Sequence, residues 1–220
     1  TLGAAAPYKA MDACICMGAS IGMAHGAFKA EQASKAELGE AYADDSVKGT
    51  VAVIGDSTFA HSGITGLVNT VYNKGISTVI ILDNSITGMT GHQQNPGTPK
   101  NLMGFDSPVI DIEKIVRAVG IDDDHLRIFD PVDQAAAKEA LEAAYAAEGP
   151  FVIITKRPCA LIKEVAKANA GKHVRINPDV CVGCKACMKI ACPALAFDSE
   201  NKKAYVADTV KIDARNQTSE

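Results

Sequence analysis

The stretch "VAVIGDSTFAHSGITGL", residues 51–67, decides how this chain folds. An apolar run at 51–54 leads directly into a glycine, Asp56 and a series of small and hydroxyl residues. A turn back to solvent requires only the Gly-Asp pair. A site that holds a cation and phosphates close to the backbone would use the whole stretch.

Short apolar runs of this kind recur over the first 156 residues and alternate with segments of helical periodicity. Their β-branched residues and flanking turn residues are typical of strands buried on both faces of a parallel sheet. We therefore predict an α/β fold, a doubly wound and mostly parallel sheet that binds ligands at the carboxyl ends of its strands. The predicted strands cover residues 51–54, 79–82, 126–129 and 151–155.

Two helices are predicted between these strands. Apolar residues at 64, 67, 68, 71 and 72 follow the spacing of one helical face, and Gly75 marks the end of this helix. Asp130 and Pro131 mark the start of the second helix, with proline at its first position, and Gly149 marks its end.

The composition excludes several classes of protein. Hydrophobic residues make up 47% of the 220, which allows a sizeable core, and the net charge of -4 gives no basic surface for nucleic acid. No apolar run approaches the roughly 18 residues of a membrane span. The N-terminus does not resemble a signal peptide. Because the chain begins at Thr1 without methionine, we expect it to be a piece of a longer polypeptide.

The seven cysteines are unevenly placed, since four of them lie within residues 181–192. An odd number of cysteines, most of them at short spacing, favours metal ligation over a secreted disulfide scaffold. We therefore expect the protein to lie in the reducing cytoplasm. We predict an α/β domain at 1–160, a linker at 161–177 that begins as a short helix, and a metal-binding segment at 178–220. That last segment is too short to form a core of its own without a metal.

Asp56 and Asn84 each follow a predicted strand, and the interval between them has room for one helix and one strand. A crossover would place the second strand beside the first, so both side chains would face the same sheet edge. A carboxylate, an amide oxygen and a backbone carbonyl suit Mg²⁺, which keeps coordination sites for phosphate oxygens. The alternative is local, with Asp56 capping the next helix and Asn84 in a turn. The pair at this spacing favours the metal site.

Three motifs together resemble a known family. They are "CMGASIGMAHG" at 16–26, "GDSTFAHSGITGL" at 55–67 and "DNSITGMTGHQQNPGTP" at 83–99. The aspartate and asparagine resemble the GDG…NN signature of thiamine-diphosphate enzymes. The whole set is more similar to the 2-oxoacid:ferredoxin oxidoreductases, and within them to the α subunits of the indolepyruvate type. The resemblance covers essentially the whole chain and implies a thiamine-diphosphate-binding fold followed by a small ferredoxin-like segment.

The resemblance implies a set of cofactor residues. Asp56, the Asn84 side chain and the Ile86 carbonyl would hold Mg²⁺. Ser57 stands where many thiamine enzymes have glycine, which keeps the residue small and adds a hydroxyl. The other residues expected to approach the cofactor are Met17, Gly18 and Ser20 at its aminopyrimidine end, and Gly55, Ser57, Thr58, Thr87, Thr90 and Gly91 at its diphosphate or thiazolium.

The catalytic residue is not identified, because the glutamate that activates the aminopyrimidine in this family belongs to a separate pyrimidine domain, expected in the part that precedes Thr1. His92 beside the presumed cofactor is the candidate here, and His61 is a second loop histidine. Either can instead be a surface or packing histidine. Cys14 and Cys16 alternate on a strand-like segment, where we expect Cys14 to be buried as a small hydrophobe and leave Cys16 open.

The cysteines at 181, 184, 187 and 192 form a second motif, with Pro193 after the last. Cys181, Cys184, Cys187 and Cys192 match the run of an iron–sulfur ferredoxin better than a zinc site, which prefers two separated pairs. The related α subunits carry a second such run, whose cysteines complete each cluster. Since the chain ends at Glu220 without that run, we expect the [4Fe-4S] cluster to be incomplete or absent here.

The family's reaction is the oxidative decarboxylation of an aryl 2-oxoacid, with coenzyme A as co-substrate and electrons passed through iron–sulfur clusters to ferredoxin. The implied partners are the 2-oxoacid, ferredoxin, a smaller β subunit and the pyrimidine domain, in an oligomer. Three alternatives remain: a non-oxidative thiamine-dependent decarboxylase or synthase, a non-catalytic ferredoxin-like electron carrier, and a structural subunit whose cysteines hold zinc.

Overall fold

The computed structural model describes residues 2–4, 8–38, 49–171, 174–190, 192 and 194–207. They fall into two compact units, one made of the described part of Cys14–Ile162 and the other of the described parts of Thr1–Ala13 and Lys163–Glu220. Pro193 and the end of the predicted metal-binding segment, 208–220, lie outside the described residues. The domain boundaries at 160 and 177 stay predictions.

The first unit is built on a four-stranded parallel sheet, which confirms the predicted fold class. All four predicted apolar runs are strands, and each extends to or slightly beyond the predicted range. The strand order is β1-β2-β4-β3, so β1 and β2 are neighbours as expected. The strands are β1 (Thr50–Gly55), β2 (Ser77–Asp83), β3 (Leu126–Phe129) and β4 (Phe151–Lys156).

Five helices accompany this sheet among the described residues of the unit. The predicted helix between β1 and β2 is confirmed, and a π-helical turn at Phe59–Gly63 joins it to the strand end. The helices are α1 (Ala19–Leu38), α2 (Asp56–Thr58), α3 (Ile64–Tyr72), α4 (Ile112–Ala118) and α5 (Gln134–Ala146).

The two faces of the sheet are covered differently. On one face, Ala52 and Ile54 of β1 belong to a core that includes Leu67 of α3 and Val116 of α4. On the other face, α5 packs on β4, with Ala140 and Ala144 in the same cluster as Phe151 and Ile153.

The prediction that every strand is buried on both faces is wrong for β1. Val51 and Val53 alternate with the buried residues of this strand and remain 61% and 51% exposed. The physical reason is the position of β1 at one edge of the sheet, two strands away from β4, on which α5 packs.

The second predicted helix begins later and ends earlier than expected. α5 starts at Gln134, because the Asp133 carboxylate accepts hydrogen bonds from the backbone N–H groups of Ala135 and Ala136 at 3.1 and 3.0 Å. Asp130 instead closes a turn, with its carboxylate accepting from the Val132 N–H at 3.0 Å. The helix ends at Ala146, before Gly149.

The strand-like segment predicted around Cys14 and Cys16 is not a strand. Residues 11–18 form bends and turns that lead into α1, and both thiols are exposed. The expected burial of Cys14 is therefore wrong, because apolar alternation over so few residues does not by itself place a segment in a sheet.

The second unit has little buried surface. Helix α6 (Lys163–Ala168) confirms the predicted short helix, and a 3₁₀ turn spans Ala186–Ile190. Strands β5 (Leu195–Asp198) and β6 (Lys203–Val206) form an antiparallel hairpin. Ala204 is the only residue of this unit that the structure describes as buried. No helix in the described parts of the chain is long and apolar enough to cross a membrane.

Candidate functional site

Asp56 lies where β1 turns into a helix at the carboxyl edge of the sheet. Gly55 has extended backbone angles and Asp56 is the first helical residue. The strand register pairs Gly55 with Leu82, so Asp56 follows beside Asp83 on the neighbouring strand. Gly55, not Asp56, is the N-cap residue of this helix, and the Asp56 carboxylate accepts a hydrogen bond from the N–H of Ser57 within its first turn. Asp56 therefore stabilises the helix start without being its N-cap, and its role as a metal ligand stays a prediction.

The Asp56 carboxylate is buried without a cation. It is only 5% exposed, and among the described residues no Lys, Arg or His forms an ion pair with it. The amide of Asn95 donates to its Oδ2 at 3.5 Å. Burial raises the pKa of Asp56 above its usual value, and the nearby charge of Asp83 raises the pKa further, against hydrogen bonds from the Ser57 N–H and Asn95.

An open pocket of about 360 Å³ lies in front of Asp56. Its acidic residues are Asp56, Asp83 and Asp111, whereas Lys114 and Lys156 also line it. Apolar residues from the loop before α4, among them Val109 and Ile110, complete the wall. The pocket therefore combines groups that attract a cation with groups that attract an anion.

Asn84, the second predicted metal ligand, is held in a turn. Its Oδ1 accepts a hydrogen bond from the Ile86 N–H at 3.1 Å, and its backbone carbonyl accepts one from the Cys159 N–H at 2.9 Å. Asn84 and Ile86 are both described and are absent from the residues that line the pocket. The local alternative for Asn84 is therefore the one observed, and its role as a metal ligand stays a prediction.

Thr87, Thr90 and His92 belong to a compact loop that begins after Asn84. The backbones of Thr87 and Gln93 exchange two hydrogen bonds, at 3.0 and 3.2 Å. Gly91 and His92 both have positive φ, 113° and 63°, as tight reversal requires. The Thr90 hydroxyl donates to the Gln93 side chain, so its polar group is already satisfied inside the loop.

Gly18 is required by packing inside the protein. Its φ is +89°, and a Cβ at this position would lie 2.2 Å from the Ser62 Oγ. Sequence reasoning assigned this glycine to a close approach of the cofactor, but Ser62 explains it without a ligand. Ser20 follows within α1, and its Oγ is buried with no partner among the described residues. Met17 is exposed.

The residues around the π-helical turn divide into buried and exposed members. Thr58 is buried, and its carbonyl accepts a hydrogen bond from the Ser62 hydroxyl at 3.3 Å. His61 is exposed on the turn itself. Such turns often occur at functional sites, and His61 follows Ala60, which lines the pocket, but is not itself among the lining residues.

Asn95 is the residue that sequence reasoning missed. Its carboxamide oxygen accepts from the Gly97 N–H at 2.8 Å, and the Thr98 hydroxyl bonds its backbone at both N and O. This fixed turn leaves the amide N–H₂ to donate to Asp56. The Asn-Pro-Gly-Thr turn signal at 95–98 is visible in the sequence, but nothing in the sequence places it beside a residue 39 positions earlier.

The residues present fit a divalent cation and a diphosphate. The buried carboxylate of Asp56, which has no cationic partner among the described side chains, is a hard-oxygen ligand, and the pocket offers further carboxylates. Asp56 is the ligand that the geometry supports best, while the remaining predicted cofactor residues stay predictions.

The predicted cluster cysteines are in different surroundings. Cys181 Sγ accepts a hydrogen bond from the Ala204 N–H at 3.5 Å, and this N–H, followed by that of Gly183, lowers the pKa of the Cys181 thiol. Cys184 and Cys192 are exposed. Within the described ranges, no three His, Cys, Asp or Glu side chains are grouped to hold a metal ion.

Comparisons with known proteins identify the family to which the α/β unit belongs. Residues 2–155 match the family described as thiamine pyrophosphate enzyme, C-terminal TPP binding domain. The chain is 39% identical over 210 residues to indolepyruvate oxidoreductase subunit IorA of Pyrococcus abyssi, covering 94% of this chain and 32% of that protein. It is 38% identical over 215 residues to the same subunit of Thermococcus kodakarensis, covering 96% and 32%. The chain thus spans about a third of the length of these relatives.

A solved structure with partial likeness is 2-oxoglutarate:ferredoxin oxidoreductase from Magnetococcus marinus. It has 15% sequence identity and a TM-score of 0.47, covering 73% of this chain and 55% of that one.

Proposed function

The chain belongs to the thiamine pyrophosphate enzymes, and from this premise we propose that it holds the cofactor diphosphate in a 2-oxoacid:ferredoxin oxidoreductase of the indolepyruvate type. The reaction would convert an aryl 2-oxoacid, coenzyme A and two oxidised ferredoxins into acyl-CoA, CO₂, one proton and two reduced ferredoxins. The relatives named indolepyruvate oxidoreductase subunit IorA support this choice. Because the chain spans a third of their length, the reaction belongs to the whole enzyme, with a second subunit and a domain that supplies the activating glutamate.

The observation that carries the proposal is the buried, unpaired carboxylate of Asp56 at the carboxyl end of β1. A fold keeps such a group only when something compensates for its burial, and the hydrogen bonds from the Ser57 N–H and from Asn95 at 3.5 Å compensate only in part, since the pKa of Asp56 stays raised. Mg²⁺ bound to Asp56 would neutralise it and bind the diphosphate oxygens. Asn84 and the Ile86 carbonyl are the other proposed ligands, since the Ile86 N–H occupies only one of the two lone pairs of the Asn84 Oδ1.

The residues of this chain bind and orient the cofactor. Thiamine diphosphate itself supplies the stabilisation of negative charge that decarboxylation of a 2-oxoacid needs. The loop at 95–98 fixes Asn95 against Asp56, and Asp83 lies beside Asp56 through the strand register. Both positions depend on backbone hydrogen bonds, so the carboxylate is set before any ligand arrives.

A thermal-shift titration tests this function. Ligand that binds the native state raises the melting temperature. We expect thiamine diphosphate to raise it when Mg²⁺ is present and not in EDTA, and Asp56→Asn to abolish the rise. Asp130→Asn, an exposed aspartate paired with Arg157, is the matched control and should retain it. A rise that is independent of both Mg²⁺ and Asp56, or no rise at millimolar thiamine diphosphate, contradicts the proposal.

The cysteines favour the oxidative enzyme over a non-oxidative decarboxylase or synthase, because such a decarboxylase needs no electron relay. The described residues do not group them as a metal site, so no step is assigned to a cluster. Cys181, Cys184, Cys187 and Cys192 remain the proposed ligands. Analysis of the purified chain for iron, sulfide and zinc distinguishes an iron–sulfur segment from a zinc-holding one, and an electron carrier without thiamine chemistry would show iron but no response to thiamine diphosphate.

A further inference from the structure

We propose that Lys156 binds the terminal phosphate of a diphosphate whose Mg²⁺ is held at Asp56, so that the pocket recognises the cation and the anion at separate positions. This inference rests on the proposed function and goes beyond it by assigning the anion-binding residue. Lys156 is the last residue of β4 and lines the same pocket as Asp56.

The strand register places Lys156 in one row with the acidic residues. Asp83 pairs with Lys156 across β2 and β4, and Asp56 lies one strand further along at the end of β1. With about 4.8 Å between neighbouring strands, the backbones of Asp56 and Lys156 are roughly 10 Å apart. Asp83 and Lys156 continue the alternation of Ile81 and Ile154, so both belong to the face of the sheet that α3 and α4 cover, and Asp56 at the start of α2 lines the same pocket.

Lys156 is an exposed cationic residue of this edge that has no ion-pair partner among the described residues. Arg157, the next residue, is paired with Asp130 at 2.5 Å. Lys114, the other lysine of the pocket, lies 3.8 Å from Asp111. Within the described part of the chain no ion pair or hydrogen bond involves the Lys156 ammonium, although Asp83 is its neighbour in the sheet.

The charge arrangement selects for a ligand that carries both signs. A metal ion alone is attracted to Asp56 and Asp83 and repelled by Lys156. A metal-bound diphosphate presents its cation to the aspartates and its outer phosphate oxygens to the lysine, so Lys156 changes from a repulsive to an attractive group. This change in the sign of the Lys156 contribution distinguishes an anion-binding role of Lys156 from a structural one.

The test compares two probes on the 220-residue chain. Dissociation constants are measured by calorimetry for thiamine diphosphate in saturating Mg²⁺, and for Mn²⁺ alone. We expect Lys156→Gln to weaken thiamine diphosphate about tenfold, the loss of one charge-assisted hydrogen bond. The same variant should bind Mn²⁺ alone as tightly as the wild type or more tightly, whereas a structural defect would weaken both.

Three further variants serve as controls. Lys156→Arg keeps the charge and should stay within about threefold of the wild type. Lys114→Gln, in the same pocket but already paired, should weaken thiamine diphosphate less than Lys156→Gln does. Lys138→Gln on the exposed side of α5 should change neither constant. Inorganic pyrophosphate with Mg²⁺ should compete with thiamine diphosphate on the wild-type chain, a result that needs no variant to fold.

The outcomes separate this inference from the function on which it rests. If Asp56→Asn abolishes Mg²⁺-dependent binding but Lys156→Gln leaves it unchanged, the proposed function stands and the role of Lys156 is overturned. Parallel weakening of Mn²⁺ and thiamine diphosphate by Lys156→Gln, or failure of pyrophosphate to compete, also overturns it. If the wild-type chain binds no thiamine diphosphate at all, both proposals fail.

Discussion

Asp56 and Cys181 each begin a motif with metal-ligating chemistry, and they lie in opposite kinds of surroundings. Asp56 follows β1, where Ala52 and Ile54 are part of a buried core shared with α3 and α4. Cys181 lies in a unit in which Ala204 alone, among its described residues, is buried. The aspartate is positioned by packed strands, whereas the cysteines beyond Cys181 are mostly exposed.

The two sites differ in what holds their residues in place. A core fixes the carboxyl edge of the sheet, so the α/β site is arranged without a ligand. A segment with almost no core would depend on the proposed metal for its structure, and binding of that metal and folding of the segment would then occur together. The predictions below test this division between a site held by packing and a site formed by its ligand.

The greatest change in the free energy of unfolding is expected in the core of the α/β unit, and a much smaller one in the hairpin of the second unit. Leu67→Ala removes a fully buried side chain from the α/β core and should lower the free energy of unfolding by about 3 kcal/mol. Leu195→Ala removes a half-buried side chain from β5 and should cost less than about 1 kcal/mol in the metal-free chain. Urea unfolding measures both, and equal costs would remove the proposed difference between the units.

The next prediction concerns the stability effect of a substitution at Gly18, in the turn directly before α1. Gly18→Ala should destabilise the ligand-free chain by about 2 kcal/mol, because it combines a positive φ with a clash against Ser62. Gly26→Ala is the matched control, since nothing lies within 4 Å of its added Cβ inside α1. It should be neutral or stabilise by up to about 1 kcal/mol. If Gly18→Ala loses cofactor binding with unchanged stability, the glycine serves the ligand and not the packing.

Asp56→Asn should make the ligand-free chain more stable at neutral pH, by about 1 kcal/mol. Because the pKa of Asp56 is raised in the folded state, the folded chain keeps this proton to higher pH than the unfolded chain does. Stability therefore falls as pH rises through the raised pKa, and the whole penalty is present above it. The advantage of Asp56→Asn should shrink as the pH falls through this raised pKa and should be lost below about 4, the usual pKa of an aspartate. Thermal unfolding at several pH values measures this.

A wild-type chain that is more stable than Asp56→Asn at neutral pH without any divalent cation would contradict this reading of Asp56. The matched variant Asp83→Asn removes the neighbouring charge while leaving the buried carboxylate in place. It should also stabilise the ligand-free chain, by less than Asp56→Asn does, because burial is the larger cause of the raised pKa of Asp56.

The smallest expected effect is a difference in thiol reactivity within the second unit. Backbone N–H groups lower the pKa of Cys181, so a larger fraction of it is thiolate at neutral pH than of an ordinary thiol. Its alkylation by iodoacetamide should reach half of its maximal rate at lower pH than that of an unfolded cysteine peptide. Mass spectrometry across a pH series measures this, and a profile like that of the peptide shows that the hairpin does not prepare Cys181 as a ligand.

Much of the α/β unit follows from the sequence. Four apolar runs predicted four strands, and the strand ends predicted where polar groups would gather. The sequence did not reveal the exposed face of β1, because an apolar run looks the same whether one face or two are covered. It also misplaced the start of α5, since Asp130 and Asp133 both resemble caps and only hydrogen bonds distinguish them.

The site was predicted in part. Asp56 was predicted from its place after a strand, and the structure shows it buried there, while its role as a metal ligand stays a proposal. Asn95, Asp83 and Lys156 join it from other segments, through a loop and two strand ends, and local sequence carries no information on such long-range placement. For Gly18, the sequence predicted that only glycine fits at this position. It did not predict that the close neighbour would be Ser62 of the same chain.

Binding of Mn²⁺ in the presence of thiamine diphosphate tests the central claim most directly, because Mn²⁺ replaces Mg²⁺ and its free form has a strong electron paramagnetic resonance signal. The wild-type chain should remove that signal up to one ion per chain, and Asp56→Asn should leave the ion free in solution. Equal uptake by the wild type and by Asp56→Asn would show that the cation binds elsewhere, and the buried carboxylate at the end of β1 would then have no part in holding the cofactor.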